Sequence, residues 1–513
     1  MFAEKFRTLS GLVLAISLSV AAVPVQAQPH EGGQLVAGVD VEPASLDPIF
    51  GNAPGADGNI YNLMYEKLIG FGPGGVIYNE LAESYEVAED QLSITFKLRD
   101  GVRFHDGTAL DAEAVRFSLA RVIDPANNSP RRPDLAAISA IEVVDPRTVK
   151  LVLSSPSGAV LAGLANDGGS IVSPTAVAAS GADFARNPVG TGPFKFVQWN
   201  GGDSLTVAAF DGYWGKDDQG RALPYLDGVT MRFISNTAVK ILEARAGTIH
   251  LANSLQVKDF EALQADTSLQ LLDTPIFTHQ WMAFNTTKPP FDNATLRRAV
   301  LTAIDRPALE RVVSRGFGVV TPTLVPPSEW IFDDSLEYPA YDPEAAKRLL
   351  EESGFEESFT LSIIQRDPDT QIAQMVQAML TQAGFKAEIE VMERQAWLDK
   401  VVKAKAHDAA LLRISVPRLD PSLVFGFDLG RNSSNYAGFQ NEDFFGTIEK
   451  SALTFDRDER KAGYVQAQKI LLDQLPYGFF FHWPSKDVAS ARLQGVERVA
   501  SGAWLLNRAS LAP

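Results

Sequence analysis

The chain has 513 residues, of which 45% are hydrophobic and 21% charged, and this balance excludes a disordered or fibrous protein. Single cores rarely grow beyond ~250–300 residues, so the length predicts two or three domains. A formal charge of −17 argues against nucleic-acid or anionic-membrane partners. The absence of cysteine excludes disulfides, thiolate metal sites, cysteine nucleophiles and a lipid-modified N-terminal cysteine.

The first 27 residues have the pattern of an export signal. Lys5 and Arg7 precede an apolar run over residues 12–23, and small residues follow up to Ala27. The run is shorter than the ~20 residues that span a bilayer, which disfavours a membrane anchor. We therefore expect cleavage after Ala27 and a soluble periplasmic protein without a lipid anchor. Cleavage removes Glu4, Lys5 and Arg7, and so changes the formal charge from −17 to −18.

In the first third of the chain, alternating apolar residues predict strands over residues 34–39, 92–98 and 149–153. Within 92–98 the residues assigned to the buried side are Leu92, Ile94, Phe96 and Leu98. Between the last two strands, Asp111 is predicted to cap a helix. Residues 69–186 therefore form a predicted small α+β unit.

Further along, residues 239–246 are predicted to be helical and to stop at Gly247. Asp342, Pro343 and Gly354 have the cap, first-turn and terminal positions of a helix. Strand patterns at 359–364 and 387–391 flank a helical stripe that ends at Gly384, which predicts a parallel βαβ unit. The last long helix is predicted over 456–475, followed by a strand over 477–482.

Sequence motifs for catalysis or metal binding are missing or lack their structural context. No two of the six histidines are spaced i, i+4, and no GxSxG elbow or GxxxxGK[ST] loop occurs. Residues 70–75 match GxGxxG, but Pro73 and the strand-like residues 76–78 predict a turn before a strand, without a helix to receive pyrophosphate. We expect no enzyme activity, no cofactor and no bound metal.

Residues 81–107, LAESYEVAEDQLSITFKLRDGVRFHDG, carry the most informative motif. This stretch resembles the signature of the extracytoplasmic solute-binding proteins of family 5, the receptors of peptide, nickel and opine ABC importers. Ordered matches extend along the mature chain. They include SLDP at 45–48, VGTGPF at 189–194, FNT at 284–286, AIDR at 303–306 and YDP at 341–343.

The resemblance implies an α/β clamshell of two lobes, the type II periplasmic-binding-protein fold, with an additional small α+β domain. Lobe I would be discontinuous and comprise residues 28–68, 187–276 and 482–513. Residues 69–186 would form the additional domain, and 277–481 would form lobe II. Chain crossings at 279–285 and 479–483 would be the hinge, and solute would bind between the lobes.

The resemblance also implies which residues line the cleft. The segment 408–421 should contribute, although it lacks the glycine–tryptophan pair and the aspartate that usually bind a peptide's amino terminus. Arg413, Ile414 and Pro417 stand at those positions. The expected solute contacts are Glu42, Gln280, Trp281, Trp397, Arg413, Arg418, Asp420, Asn435 and Tyr436. Trp281 and Trp397 are expected to be at least partly exposed to the cleft.

Two arginines in this segment suggest an anionic solute, because a guanidinium binds a carboxylate or phosphate in a bidentate fork. The alternative is that Arg413 pairs with Asp408 or Asp420 and only shapes the cleft. The favoured function is a monomeric periplasmic receptor that delivers a peptide-like or opine-like solute to an ABC permease. An exported hydrolase and a periplasmic chaperone or sensory binding protein are the alternatives.

Overall fold

A computed structural model describes residues 29–51, 57–72, 75–275, 278–415, 419–432 and 434–513. The helices are α1 (Gly58–Met64), α2 (Ala112–Ile123), α3 (Ala159–Leu164), α4 (Pro174–Ser180), α5 (Thr237–Ala246), α6 (Val257–Gln264), α7 (Ala294–Thr302), α8 (Arg306–Val313), α9 (Pro343–Ser353), α10 (Asp369–Gln382), α11 (Arg394–Trp397), α12 (Pro421–Asp428), α13 (Glu442–Ala452) and α14 (Arg457–Gln474). Within these ranges, no helix is long and apolar enough to cross a membrane. The predicted signal and cleavage site lie outside the described residues.

The strands in the first half are β1 (Gln34–Val39), β2 (Ile69–Phe71), β3 (Ile77–Asn79), β4 (Ala82–Val87), β5 (Ser93–Leu98), β6 (Ile138–Asp145), β7 (Thr148–Leu153), β8 (Phe194–Asn200), β9 (Ser204–Ala209), β10 (Gly228–Phe233) and β11 (Leu251–Ala252). Those that follow are β12 (Leu269–Asp273), β13 (Thr278–Phe284), β14 (Ser358–Ile364), β15 (Lys386–Met392), β16 (Ala409–Ser415), β17 (Tyr477–His482), β18 (Lys486–Ser490), β19 (Leu493–Gln494), β20 (Glu497–Arg498), β21 (Trp504–Leu505) and β22 (Ser510–Leu511).

Three sheets organise the chain. A mixed seven-stranded sheet has the order β12-β18-β11-β1-β10-β9-β8 and gathers segments from the start, middle and end of the sequence. A four-stranded antiparallel sheet, β4-β5-β7-β6, packs on α2. A five-stranded sheet, β15-β14-β16-β13-β17, is built from residues between 278 and 482.

The five-stranded sheet has a hydrophobic core on each face because side chains alternate along each strand. Met282 and Phe284 of β13 pack among residues of α7 and α10 on one face. Trp281 and Ala283 pack on the other face, among residues of α12, α13 and α14. A sheet buried on both sides explains the nearly continuous apolar sequence of β17, whose six residues are all buried.

Several predicted elements are confirmed at nearly the predicted positions. Helix α2 is capped by Asp111, α5 ends at Gly247 and α9 runs from the Asp342 cap to Gly354, a left-handed glycine at φ 70°. The strands β14 and β15 are parallel and joined through α10, as the βαβ pattern predicts.

The GxGxxG match begins inside a strand, because Gly70 and Phe71 belong to β2, which pairs antiparallel with β3. The placement of Leu92 is wrong, since β5 begins at Ser93 and the Leu92 side chain is exposed outside the strand.

Candidate functional site

Two neighbouring crossings connect the seven-stranded and five-stranded sheets. The chain passes from β12 to β13 and returns from β17 to β18, and both strand pairs are antiparallel. The pairing also extends into the crossings, where Thr274 N donates to Ser485 O at 3.2 Å and Trp483 N to Thr278 O at 2.8 Å. The two sheet units are thus joined by two paired strands, an arrangement that permits bending about a narrow region.

A cavity of about 500 Å³ lies beside these crossings. Its lining comes from the unit of the seven-stranded sheet, from residues between β13 and β17, and from Gly75 near the β2–β3 hairpin. The lining residues are Gly75, Leu271, Leu272, Asp273, Thr274, Pro275, Ser328, Glu329, Leu419, Val496, Arg498 and Ala500. Leu419 belongs to the segment expected to line the cleft. The volume suits a small organic solute.

The cavity wall is mostly apolar and holds three charged side chains, Asp273, Glu329 and Arg498. Asp273 forms an ion pair with Lys486. Arg498 forms an ion pair with the buried Asp487 and donates to Gly502 O at 2.7 Å. Burial and, to a smaller extent, the negative charge of Asp420 together raise the pKa of Glu329 to about 7. Glu329 differs from the other two because no described residue forms an ion pair with it.

A second charged group lies at the edge of the five-stranded sheet. Parallel strands β14 and β16 end at this edge, and Ser415 at the end of β16 is the register partner of Thr278, where the crossing strand β13 begins. The carboxyl ends of parallel strands are common places for ligands. This edge therefore combines a favourable sheet position with proximity to the crossings.

Arg366 and Arg413 meet the same carboxylate at this edge. Arg413 Nε lies 3.6 Å from Asp369 Oδ1, and Arg366 forms an ion pair with the other oxygen of Asp369. The Asp369 side chain is 2% exposed, whereas those of Arg413 and Arg366 are 23% and 35% exposed. Burial lowers the pKa of Arg413, and Arg366 lowers it further against the attraction of Asp369. Two guanidinium groups share one carboxylate, so the group has excess positive charge.

The alternative that Arg413 pairs with Asp408 or Asp420 is wrong, because Arg413 lies beside Asp369 instead. Asp408 pairs with Lys288 at 3.0 Å, and Asp420 pairs with Arg460 at 2.5 Å. Asp369 had no signal in the sequence as a partner of Arg413, because Asp369 lies at the start of α10 and Arg413 lies on β16. Arg418 lies outside the described residues.

The expected partial exposure of the two tryptophans is wrong for this conformation. Trp281 is fully buried and stacks on Tyr477 and Phe479, with ring centroids 5.0 and 5.6 Å away. Trp397 is also buried in this core, and Tyr436 lies 6.1 Å from it. Strand alternation places Trp281 on the face of the sheet that α12, α13 and α14 cover, which accounts for its burial.

The other expected contacts have internal partners. Gln280 is fully buried and donates to Leu412 O at 2.8 Å. Asn435 donates to Phe439 O and accepts from Tyr477 OH. Glu42 accepts from Trp199 Nε1 at 2.8 Å and from Gly202 N at 3.0 Å, and so ties its loop to the β8–β9 hairpin. The structure brings Trp281, Trp397, Asn435 and Tyr436 together under α12–α14, whereas Glu42 lies in the other sheet unit.

The described histidines and acids offer no metal centre, since no three potential ligands converge among these residues. Burial lowers the pKa of His105 to about 4 and that of His482 to about 3. His105 Nε2 lies 2.9 Å from Gly192 O, and His482 Nε2 lies 2.8 Å from Thr321 Oγ1. Both imidazoles therefore belong to the packed interior.

Known proteins share this architecture over nearly the whole chain. The sequence model of the family described as bacterial extracellular solute-binding proteins, family 5 Middle, matches residues 76–435. The glutathione-binding protein GsiB of Escherichia coli O1:K1 / APEC is 29% identical over 489 residues, which cover 91% of this chain and 92% of GsiB.

Two solved structures have the same fold and 26% sequence identity. The periplasmic binding protein DppA of Helicobacter pylori, in complex with the peptide STSA, gives a TM-score of 0.72, with 94% of this chain and 99% of DppA covered. AgaA of A. tumefaciens R10, in complex with agropinic acid, gives a TM-score of 0.70 with the same two coverages.

The fold and the cavity beside paired crossings define a type II binding protein, an extracytoplasmic receptor that captures small solutes for an ABC permease. The chain belongs to family 5 of the bacterial extracellular solute-binding proteins. Members of this family serve in transport, in which a receptor binds its solute and presents it to the membrane components.

Proposed function

We propose that the chain is a monomeric periplasmic receptor, released by cleavage after Ala27 and without a lipid anchor, for a peptide-like or opine-like solute that carries a carboxylate. Binding between the lobes would stabilise a closed form for the permease, and no covalent step is needed. The observation that carries this proposal is the pair Arg366 and Arg413, which share one buried carboxylate.

We infer that the lobes are the two larger sheet units. Residues 28–68, 187–276 and 482–513 would form lobe I, residues 277–481 lobe II, and residues 69–186 the additional domain. The seven-stranded, five-stranded and four-stranded sheets each draw their strands from one of these three sets, which supports the division. The paired crossings would then act as the hinge.

Arg413 is suited to bind an anion, because contacts with the protein already hold its guanidinium group in place. Arg413 Nη2 donates to Asp367 O at 3.2 Å, and the guanidinium carbon lies 5.5 Å from the centre of the Trp483 ring. Asp369 balances only one of the two arginine charges. A solute carboxylate would supply the missing negative charge through charge-assisted hydrogen bonds.

The relatives support a carboxylate-bearing solute. GsiB is named for glutathione, and the two structures contain a peptide and agropinic acid, all of which are carboxylic acids.

The other predicted contacts would mainly support the pair Arg366 and Arg413 from inside the protein. Gln280 accepts from Trp483 Nε1 at 3.3 Å and so positions the ring beside Arg413.

A thermal-shift screen of peptides, opines and neutral sugars tests the solute class. A ligand at 100 times its Kd should stabilise the protein by about 2.7 kcal/mol, and we expect stabilisation only by carboxylates. Arg413→Ala should weaken the selected ligand at least about tenfold, because a charged hydrogen bond is lost.

Arg431→Ala is the matched control, because Arg431 is another lobe II arginine but pairs with Glu442 and Glu449 on the surface. Equal affinity of the wild type and Arg413→Ala would remove Arg413 from the site. Stabilisation by neutral sugars alone would contradict the solute class. Turnover of the bound ligand would contradict a purely receptor function and favour the exported hydrolase.

A further inference from the structure

Among the described residues, the carboxyl group of Glu329 is the cavity charge without a counter-ion. No described residue donates a hydrogen bond to this carboxylate or forms an ion pair with it. The charged group that acts on it most strongly is Asp420, which is also negative. Asp420 is itself paired with Arg460, so Arg460 does not serve Glu329.

An unpaired carboxylate in a partly buried site is unfavourable in its charged form, because water is removed and no cation replaces it. The other charged lining residues do not supply that cation. Arg498 is held by the buried Asp487 and by Gly502 O, and drawing it away would leave Asp487 unpaired. Asp273 has the same sign of charge as Glu329. A cation that enters with the ligand would remove this unfavourable state.

We propose that Glu329 binds a protonated amine of the solute, so that the receptor selects small molecules with a free ammonium group beside an apolar body. The apolar body is inferred from the leucine, valine, alanine and proline side chains that form most of the cavity wall. This inference rests on the proposed receptor function and narrows its carboxylate-bearing solutes to those that also carry a free ammonium group.

Alanyl-leucine and glutathione, each compared with its N-acetyl derivative, are suitable probes. Isothermal titration at pH 7.5 should show that the wild type binds at least one free-amine probe tenfold or more tightly than its acetylated form. Glu329→Gln, which keeps the shape of the side chain, should abolish this ratio. Asp273→Asn is the matched control on the same cavity and should retain it, because Lys486 already balances that carboxylate.

Proton release provides a readout that needs no variant. The Glu329 carboxyl, with its pKa of about 7, is partly protonated in the free protein and must ionise to bind an ammonium group. Affinity for the free-amine probe should therefore rise from pH 5.5 to 7.5, with proton release, and Glu329→Gln should flatten this rise. The described charged groups around Glu329 are Asp420, Arg460, Asp273, Arg498 and Arg457. The first four are already in ion pairs, and Arg457 lies over the Trp330 ring and donates to Gly75 O at 3.1 Å.

The outcomes separate the two proposals. Wild-type binding of both members of each probe pair with equal affinity and no proton release overturns the role of Glu329 alone. Retention of the free-amine preference in Glu329→Gln does the same. Failure of the wild type to bind any carboxylate in the screen contradicts the proposed function, and this inference with it.

Discussion

Glu66 and Glu80 bring two carboxyl groups into the interior between α1 and the β2–β3 hairpin. Glu66 is 2% exposed and accepts from Tyr213 OH at 3.0 Å and from Trp214 Nε1. Glu80 accepts from the backbone N–H of Lys67 at 2.9 Å. Burial and, to a smaller extent, the negative charge of Glu80 together raise the pKa of Glu66 to about 8. Near neutral pH the folded protein therefore holds a proton that the unfolded chain has already lost.

This raised pKa predicts a stability that falls as the pH increases. The folded state binds the extra proton between the ordinary pKa of 4.5 and the folded value of about 8, so stability is greatest below this window and declines through it. One proton contributes a slope of up to about 1.4 kcal/mol per pH unit. Glu66→Gln should reduce the slope in urea unfolding measured from pH 5 to 8.

Glu113→Gln is the control for this prediction, because Glu113 is an exposed partner of Arg116. It should leave the pH dependence of unfolding unchanged. An unchanged slope in Glu66→Gln would show that other groups cause the decline.

At the scale of elements, the ion pair of Asp420 and Arg460 fastens α12 to α14. The side chains are 4% and 8% exposed, and Asp420 also accepts from Ser422 N at the start of α12. Asp420→Asn keeps a cap but leaves Arg460 buried without a counter-charge. We expect a loss of about 3–5 kcal/mol in the free energy of unfolding of this part of the protein. Differential scanning calorimetry should detect it as a lower transition temperature.

Glu442→Gln gives the comparison for Asp420→Asn. Glu442 pairs with Arg431 on the surface, where the side chains are 80% and 42% exposed. Exposed ion pairs contribute about 0–1 kcal/mol, so this variant should unfold almost like the wild type. A similar effect of both substitutions would contradict the structural importance of the buried pair.

Elements with strong local signals could be predicted from the sequence, and contacts between distant elements could not. The helix α9 carries its cap, proline and terminal glycine within its own sequence, so its bounds were predictable. Leu92 continues the alternation of β5 but precedes its first residue, because a repeating pattern does not mark where pairing begins. Trp281 was misjudged because its burial depends on helices encoded more than a hundred residues later.

The same limit applies to the candidate site. Arg413 was a candidate from the sequence, because it stands in the expected cleft segment and a guanidinium suits a carboxylate or phosphate. Its actual partner, Asp369, lies at the start of α10 and becomes adjacent only when β14 and β16 pair. Glu329 had no sequence signal, because a single glutamate after two prolines resembles an ordinary surface loop. Its cavity exists only when the two sheet units face each other.

At the scale of the whole molecule, the paired crossings predict a rigid-body motion between the two lobes. The chain has no cysteine, so two introduced cysteines can be labelled specifically. Val197→Cys in β8 and Leu453→Cys after α13 place exposed labels on the two proposed lobes. Adding the carboxylate found in the screen should shift the distance distribution between them in single-molecule fluorescence or electron–electron resonance.

Labels at Val312 and Val391 provide the internal reference, because both are exposed and lie in the proposed lobe II. Their separation should stay constant with solute, since rotation about the crossings leaves distances inside one lobe unchanged. Solute shifts the equilibrium between the open and closed forms because it binds them with different affinities. The change in the distance between the labels should therefore follow the binding curve. A fixed distance between the lobes at saturation would show that solute is held without closure, and the permease would then have to recognise some other feature of the bound form.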